Sequence, residues 1–438
     1  MAGDEGLISR VALMDEREIA DMVARLRPRS GRERRLREKV RRLLSDVRGR
    51  GDEGLVDQVR AFDWACPGPE ALRVPAQAGS RALKALSPAL RVALNRAARS
   101  IRAFHRRQAW RPLPAVASRG ASMGIQTFPL DSVGLYVPGG RAAYPSTLLM
   151  LAIPAQTARV RRIAVASPAG PSGLPSEVVL AAAALVGLDE IYGLGGAAAV
   201  GAFAYGTRTV PRVDKVLGPG NTWVAEAKRQ VFGDVGIDAV AGPTELVILS
   251  DGSCPAPFVA ADLMAQAEHD TEASPILLTT DPGEPARVEQ ELARQLKGSP
   301  RASIQRRSLK GRGALVTCAS RELACAAARA LAPEHLSVQA RRSEAWAARV
   351  PTAAAVFLGP YTPEAAGDYG AGPNHSLPTG GAARFSSPVG VWDFVRHRSY
   401  LRLDRRALRE AAPWMSVLAE AEGLHGHAAS FAVREGRS

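Results

Sequence analysis

The chain has 438 residues, enough for two or three domains that each bury a core, and 46% of them are hydrophobic, which excludes a disordered protein. The net charge is +14, and residues 25–50 alone carry twelve Lys/Arg against three Asp/Glu. Leu36, Val40, Leu43, Leu44 and Val47 nevertheless share one helical stripe in that run and no aromatic residues interleave, so the arginines read as a solvated helix face and a nucleic-acid role is not expected.

No apolar run approaches the roughly 18–20 residues of a membrane span, so no membrane partner is expected. The first residues include Asp4, Glu5, Asp15 and Glu16 and lack a basic-then-apolar leader. Four cysteines, Cys66, Cys254, Cys318 and Cys325, form no Cys-x-x-Cys pair. A disulfide framework or cysteine zinc site is not expected, and a reducing cytoplasm fits.

In chain order, residues 8–62 read as helices with a break near Pro28, Ser30 and Gly31. Ser87 reads as an N-cap with Pro88 at the first helical position, followed by the stripe Leu90, Leu94, Ala97, Ile101 and Phe104. His105, beside that stripe, reads as a satisfied structural histidine. From Val133 onward, strand-length apolar runs alternate with Ala-rich helical segments. The runs are 133–137, 162–167, 190–194, 213–217, 245–250, 276–280, 314–318 and 354–358. This alternation predicts α/β units with mainly parallel sheets, and there are too many strands for one mononucleotide-type half. The section after about 390 reads as helical again.

Several motifs carry chemistry. Gly193-Leu-Gly-Gly-Ala-Ala198 follows a strand and has the form GxGxxA, with Asp214 about twenty residues on. Gly134-Leu-Tyr136-Val-Pro-Gly-Gly140 sets an aromatic residue beside paired glycines at a strand end. Leu217-Gly-Pro-Gly-Asn221 ends a strand and opens a helix, with Asn221 at the N-cap where free backbone N–H groups favour an anion. Each also reads as an ordinary turn.

Within 262–270, Gln266 and His269 lie three apart on a helix and offer an amide oxygen and an imidazole nitrogen to one point. Ala332-Pro-Glu334-His335 sets an acid and a histidine on an irregular segment that can divide proton work. The Gly/Pro-rich loop 367–378 holds Asp368, Asn374 and His375, and Asp368 would add the anionic oxygen the Gln–His pair lacks. Glu422, His425 and His427 sit where glycines break the last helix. Five of the seven histidines fall in these segments.

Taken together, GLYVPGG, VDKVLGPGNTWVAEAKRQVFGDVGID, AGPTELVILSD, DLMAQAEHD, APEHL, GPYTPEAAGDYGAGPNHSLPTGG and AEGLHGH, in this order, make the chain resemble the histidinol dehydrogenases from about residue 30 onward. The resemblance implies an α/β fold of two incomplete, atypical Rossmann-like domains with helical N- and C-terminal extensions, in an intertwined homodimer. It divides the chain into a helical extension (1–31), a first domain (32–134 and 244–389), a second domain with the NAD contacts (135–243) and a tail (390–438) that completes the partner's site. It implies zinc held by Gln266, His269, Asp368 and the partner's copy of the position of His427. Glu334 and His335 become the acid–base residues. Thr244, Gln266, His269, His335, Asp368, His375, Glu422 and His427 face the substrate. Tyr136, Asn221 and the position of Ala198, where the family usually has Gln, face NAD. The implied reaction oxidises L-histidinol through histidinal to L-histidine with two NAD, in the cytoplasm. A rival reading keeps fold and zinc but oxidises another small polyol such as a sulfonated propanediol.

Overall fold

The most apolar runs of the sequence form the centre of a six-stranded, all-parallel sheet. Its order is Ser9–Leu13, Ala314–Cys318, Ser274–Thr279, Glu245–Ser250, His335–Gln339, Ala355–Leu358. The strand Glu245–Ser250 is buried at every position because both of its faces are covered, as parallel sheets require. Leu246 and Ile248 pack with Val259, Leu263 and Ala267 of the helix Ala256–Ala267. Val247 and Leu249 pack with Ala324, Ala327 and Ala328 of the helix Arg321–Leu331 on the other face. This computed structural model describes residues 6–26, 33–110, 114–118, 120–139 and 143–436. The break read near Pro28, Ser30 and Gly31, and Gly140 of the GLYVPGG run, lie outside these residues.

A second parallel sheet has five strands in the order Ile191–Gly193, Arg162–Ser167, Ser132–Tyr136, Lys215–Leu217, Gly236–Ile237. Numbered along the chain this is 3-2-1-4-5, so the winding direction reverses between Ser132–Tyr136 and Lys215–Leu217. A third, antiparallel sheet joins Val116–Ser118, Ala121–Pro129 and Val395–Leu403, with Val395 opposite Pro129 and Leu403 opposite Ala121. The helices Arg405–Ala421 and His425–Arg434 follow it. Among the described residues no helix is long and apolar enough to cross a membrane.

Three expectations need correction. Residues 1–31 are not only a helical extension: Ser9–Leu13 adds an edge strand to the six-stranded sheet, paired with Ala314–Cys318 some 300 residues away. Residues 32–134 do not pack as one unit with 244–389. Val40, Leu44, Val47, Leu55 and Val59 bury against Ala166, Tyr192, Ala199 and Phe203 of the five-stranded sheet and its helices. Leu94, Ala98 and Ile101 bury against Leu148, Leu151 and Val165 on its other face. The section after 390 is not helical throughout: after one 3-10 turn, Val391–Phe394, comes the nine-residue strand Val395–Leu403. One expected detail holds in full and one in part: Ser87 accepts from Leu90 N and caps the helix Pro88–Arg106. His105 is buried, with Nδ1 2.7 Å from Gln108 Oε1, although its Nε2 has no partner.

Candidate active site

Of the Glu334–His335 pair only Glu334 lies on an irregular segment. His335 opens a central strand of the six-stranded sheet, and Glu334 directly precedes it. Thr244 likewise precedes the neighbouring strand Glu245–Ser250, so both pairs stand at the amino edge of the sheet. The helix Ala256–Ala267 runs antiparallel to that strand and delivers Gln266 and His269 to the same edge from its C-terminal end. The loop after Ala355–Leu358 returns there with Glu364 and Asp368.

These groups are close and mostly dry. Glu334 Oε2 accepts from the Thr244 hydroxyl at 2.6 Å and from Glu245 N at 3.0 Å. Burial pushes the Glu334 pKa up, against the pull of His335 and of the Thr244 hydrogen bond. Gln266 Nε2 donates to Thr244 Oγ1 at 3.0 Å, while its buried Oε1 has no hydrogen-bond partner. His269 Nε2 is 3.7 Å from Asp368 Oδ2, and His375 Nδ1 is 3.3 Å from Asp368 Oδ1. Burial works to raise the Asp368 pKa, but the His375 hydrogen bond and the surrounding histidines outweigh it and hold it below the usual value. His335 Nδ1 lies 3.2 Å from the Glu245 carbonyl oxygen, so the tautomer that satisfies this bond carries hydrogen on Nδ1 and leaves Nε2 as the base.

The Gly/Pro loop is fixed to the helices of the other sheet. Gly370, at φ +91°, passes so close to the helix Pro88–Arg106 that a Cβ there would lie 2.6 Å from that of Ala97. Ser100 Oγ donates to Ala371 O at 2.9 Å. Asn374 Nδ2 donates to Met150 O at 2.6 Å, and His375 Nε2 lies 3.0 Å from Thr147 Oγ1. Thr147 is in the first turn of the helix Pro145–Thr157, which follows the strand Ser132–Tyr136. His375 therefore touches both the amino edge of one sheet and the carboxyl edge of the other.

At that carboxyl edge, Tyr136 and the turn Gly218–Asn221 end the two strands where the winding reverses, the usual place for a ligand crevice. Gly218, at φ +125°, has room only because it lacks a side chain: a Cβ would lie 2.1 Å from Tyr136 O. Lys228 and Asp238, a buried ion pair, hold the turn by bonds to Gly218 O (3.0 Å) and Gly218 N (2.8 Å).

Two of the helix N-termini here are already occupied, whereas that of Pro145–Thr157 carries no side-chain cap. Asn221 Oδ1 accepts from Trp223 N and Val224 N at 3.0 and 3.2 Å. Asp63 Oδ2 accepts from Gly195 N at 3.0 Å, and the Tyr136 hydroxyl accepts from Gly196 N at 3.2 Å. The Gly193–Ala198 turn is thus no open pyrophosphate cradle, because a carboxylate stands where a phosphate would. Asp214 bonds Ser132 N at 2.8 Å at the opposite edge, away from any ribose at this crevice. Tyr136 is buried, its phenol pushed up to about 12 by burial, so its ring is no exposed stacking surface. Ala198 is buried in the helix Gly196–Tyr205, and Asn221 is exposed at the crevice mouth.

The structure therefore brings together Thr244, Gln266, His269, Glu334, His335, Asp368 and His375, with Tyr136 and Asn221 on the facing edge. Glu422, His425 and His427 are exposed on the C-terminal helices, apart from this cluster within one chain. Sequence reasoning missed Glu364. It is buried, sits within one cluster with His335 and Asp368 whose ligand atoms lie within 4.8 Å of one another, and shows no motif beyond lying four residues before Asp368.

Comparison with known proteins gives a consistent result. The histidinol dehydrogenase family profile matches residues 26–435. A histidinol dehydrogenase of Bordetella parapertussis is 48% identical over 393 residues, covering 90% of this chain and 89% of the relative. One of Gluconobacter oxydans is 45% identical, covering 94% and 96%. The crystal structure of a histidinol dehydrogenase from Elizabethkingia anophelis superposes with a TM-score of 0.92 at 32% identity, covering 99% of each chain.

Proposed function

The chain belongs to the histidinol dehydrogenase family, oxidoreductases that act on an alcohol and then on the aldehyde, and we propose that it oxidises L-histidinol through L-histidinal to L-histidine with two NAD and one zinc ion per site. The observation that carries the metal reading is the orphaned Gln266 Oε1, buried without a hydrogen-bond partner. A buried carbonyl oxygen without a donor costs about 1–3 kcal/mol, and a cation is the partner that His269 and Asp368 beside it would share. Gln266, His269 and Asp368 fit zinc as an N/O donor set. His427 of a second subunit would be the fourth.

Zinc, when bound, would orient the amine and imidazole of the substrate. NAD, when bound along the carboxyl edge near Tyr136, Asn221 and Ala198, would accept a hydride in each oxidation. His335 Nε2 takes the hydroxyl proton, with its ring held by the bond from Nδ1 to Glu245 O. Glu334, with Oε2 tied to Thr244 and Glu245, is the base toward the water that adds to the aldehyde. His375 and Thr244 align the substrate against the two edges, and Glu422 of the partner would close the site. A dimer accounts for the C-terminal arm, which leaves Leu401, Trp414, Val417, Leu418 and Val433 more than half exposed in one chain.

NADH formation with L-histidinol tests this reading, with a sulfonated propanediol in parallel. Two NADH per histidinol, lost with a chelator and restored by zinc, is the expected result. Turnover of the propanediol alone would replace the substrate. Silence with both would discard the reading.

A further inference from the structure

The turn Gly218–Asn221 is held at every residue. Gly218 stands at φ +125°, and a Cβ on it would meet Tyr136 O. A Cβ on Gly220 would lie 2.5 Å from that of Val224, so the turn is pressed onto the helix Thr222–Val231. Pro219 fixes its own φ, and Asn221 caps that helix. Gly218 is the one residue whose backbone is intrinsically free, and two charges hold it. Asp238 Oδ2 accepts from Gly218 N at 2.8 Å, Lys228 Nζ donates to Gly218 O at 3.0 Å, and the two side chains pair with each other.

Stability alone does not account for this arrangement. Lys228 is only 2% exposed, and a buried ion pair stabilises a fold no more than apolar residues of the same volume, because desolvation offsets the attraction. The ammonium also reaches back past the start of its own helix, to the end where the helix dipole disfavours a cation. Hydrocarbon would fill the same space, but it cannot orient a peptide. The N–H and C=O of Gly218 belong to the two peptide planes on either side of its Cα. Holding both groups fixes both of its soft dihedrals.

We propose that Lys228 and Asp238 are positioning residues for the cofactor: acting through Gly218, they lock the Pro219–Asn221 backbone in the one conformation against which NAD binds. The proposal rests on the placement of NAD at this carboxyl edge. The pair lies on the five-stranded sheet, whereas Glu334, His335, Gln266 and His269 stand on the other, so its loss should weaken one ligand and spare the other.

The test uses zinc-loaded full-length protein as wild type, Lys228→Met and the double variant Lys228→Met with Asp238→Asn. Each is titrated with NADH in a calorimeter without histidinol, and its Tm, zinc content and steady-state kinetics are measured. Lys228→Met leaves Asp238 as a buried charge without its partner, so its Tm should fall. The double variant removes both charges in nearly the same volume and should recover most of that loss. In both, the Kd for NADH should rise about 10-fold, the scale of one charge-assisted hydrogen bond, and the KM for NAD should rise with it. The KM for histidinol and the zinc content should stay close to wild type.

The double variant separates positioning from packing, and it carries the test if Lys228→Met fails to fold. Tm and NADH affinity recovering together in it would make the pair merely structural and overturn the proposal. Unchanged NADH affinity in folded Lys228→Met would do the same. A wild-type protein that binds no NADH would instead overturn the cofactor placement beneath the proposal.

Discussion

The two parallel sheets use opposite edges. The five-stranded sheet presents Tyr136 and Gly218–Asn221 at its carboxyl edge, where the winding reverses, while the six-stranded sheet presents Thr244, Glu334 and His335 at its amino edge. Helices arrive at the two edges with opposite polarity. Gln266 and His269 stand at a helix C-terminus, whose partial negative charge suits a cation. The carboxyl edge receives helix N-termini, which suit anions; Asn221 and Asp63 occupy two of them, and that of Pro145–Thr157 carries no side-chain cap. The contrast teaches that the proposed cation site and the proposed dinucleotide crevice can share one junction when the edges of two sheets meet, here through His375.

The largest effect expected is at the amino edge. His335→Asn should lower kcat by about 10²–10⁴-fold while zinc content stays at wild type, since the proposed role of the ring is that of a base. Glu334→Gln should also spare zinc, and rapid-quench product analysis should show histidinal accumulating. Loss of zinc in either variant would redraw the ligand set.

Next come the proposed metal ligands. Gln266→Leu and His427→Asn should each reduce zinc retention by at least the roughly 10–100-fold that loss of an outer partner costs, with activity falling in parallel. Metal analysis after dialysis checks this. Zinc unchanged in the His427 variant would remove the second subunit from the site and leave the amino edge self-sufficient.

The carboxyl edge should respond more mildly and through fold. Gly218→Ala forces φ +125° on an L-residue, a backbone cost of about 1–3 kcal/mol before the clash with Tyr136 O, so Tm should fall and the KM for NAD rise. An unchanged NAD KM in folded Gly218→Ala would separate this turn from the cofactor. The smallest effect is expected from Ala198→Gln, which restores the family's usual residue: an NAD KM lowered by about 3-fold, the scale of one hydrogen bond. A raised KM would mean that the buried helix Gly196–Tyr205 has no room for the longer side chain.

Elements with their own apolar signature were legible in the sequence. Arg162–Ser167, Glu245–Ser250 and Ala314–Cys318 occupy the residues the pattern indicates, because a strand buried on both faces must be apolar throughout. The strand His335–Gln339 was not, because His335, Ser337 and Gln339 interrupt its apolar run, and their polarity is tolerated only beside the site and its helices. Ser9–Leu13 and Val395–Leu403 escaped for another reason: each is held by a partner hundreds of residues away, and short amphipathic strands carry little signal alone.

The site divides the same way. The chemical identity of Gln266, His269, Glu334, His335, Asp368 and His375 was set by local motifs, whose residue types and spacing are what a metal and an acid–base pair require. Only the tertiary structure decided which edges carry them, that the GxGxxA turn is closed by Asp63, and that Glu364 faces His335 Nε2. Those facts depend on distances between segments far apart in the chain, and a carboxylate becomes chemically unusual only when packing removes its water and its hydrogen-bond partners.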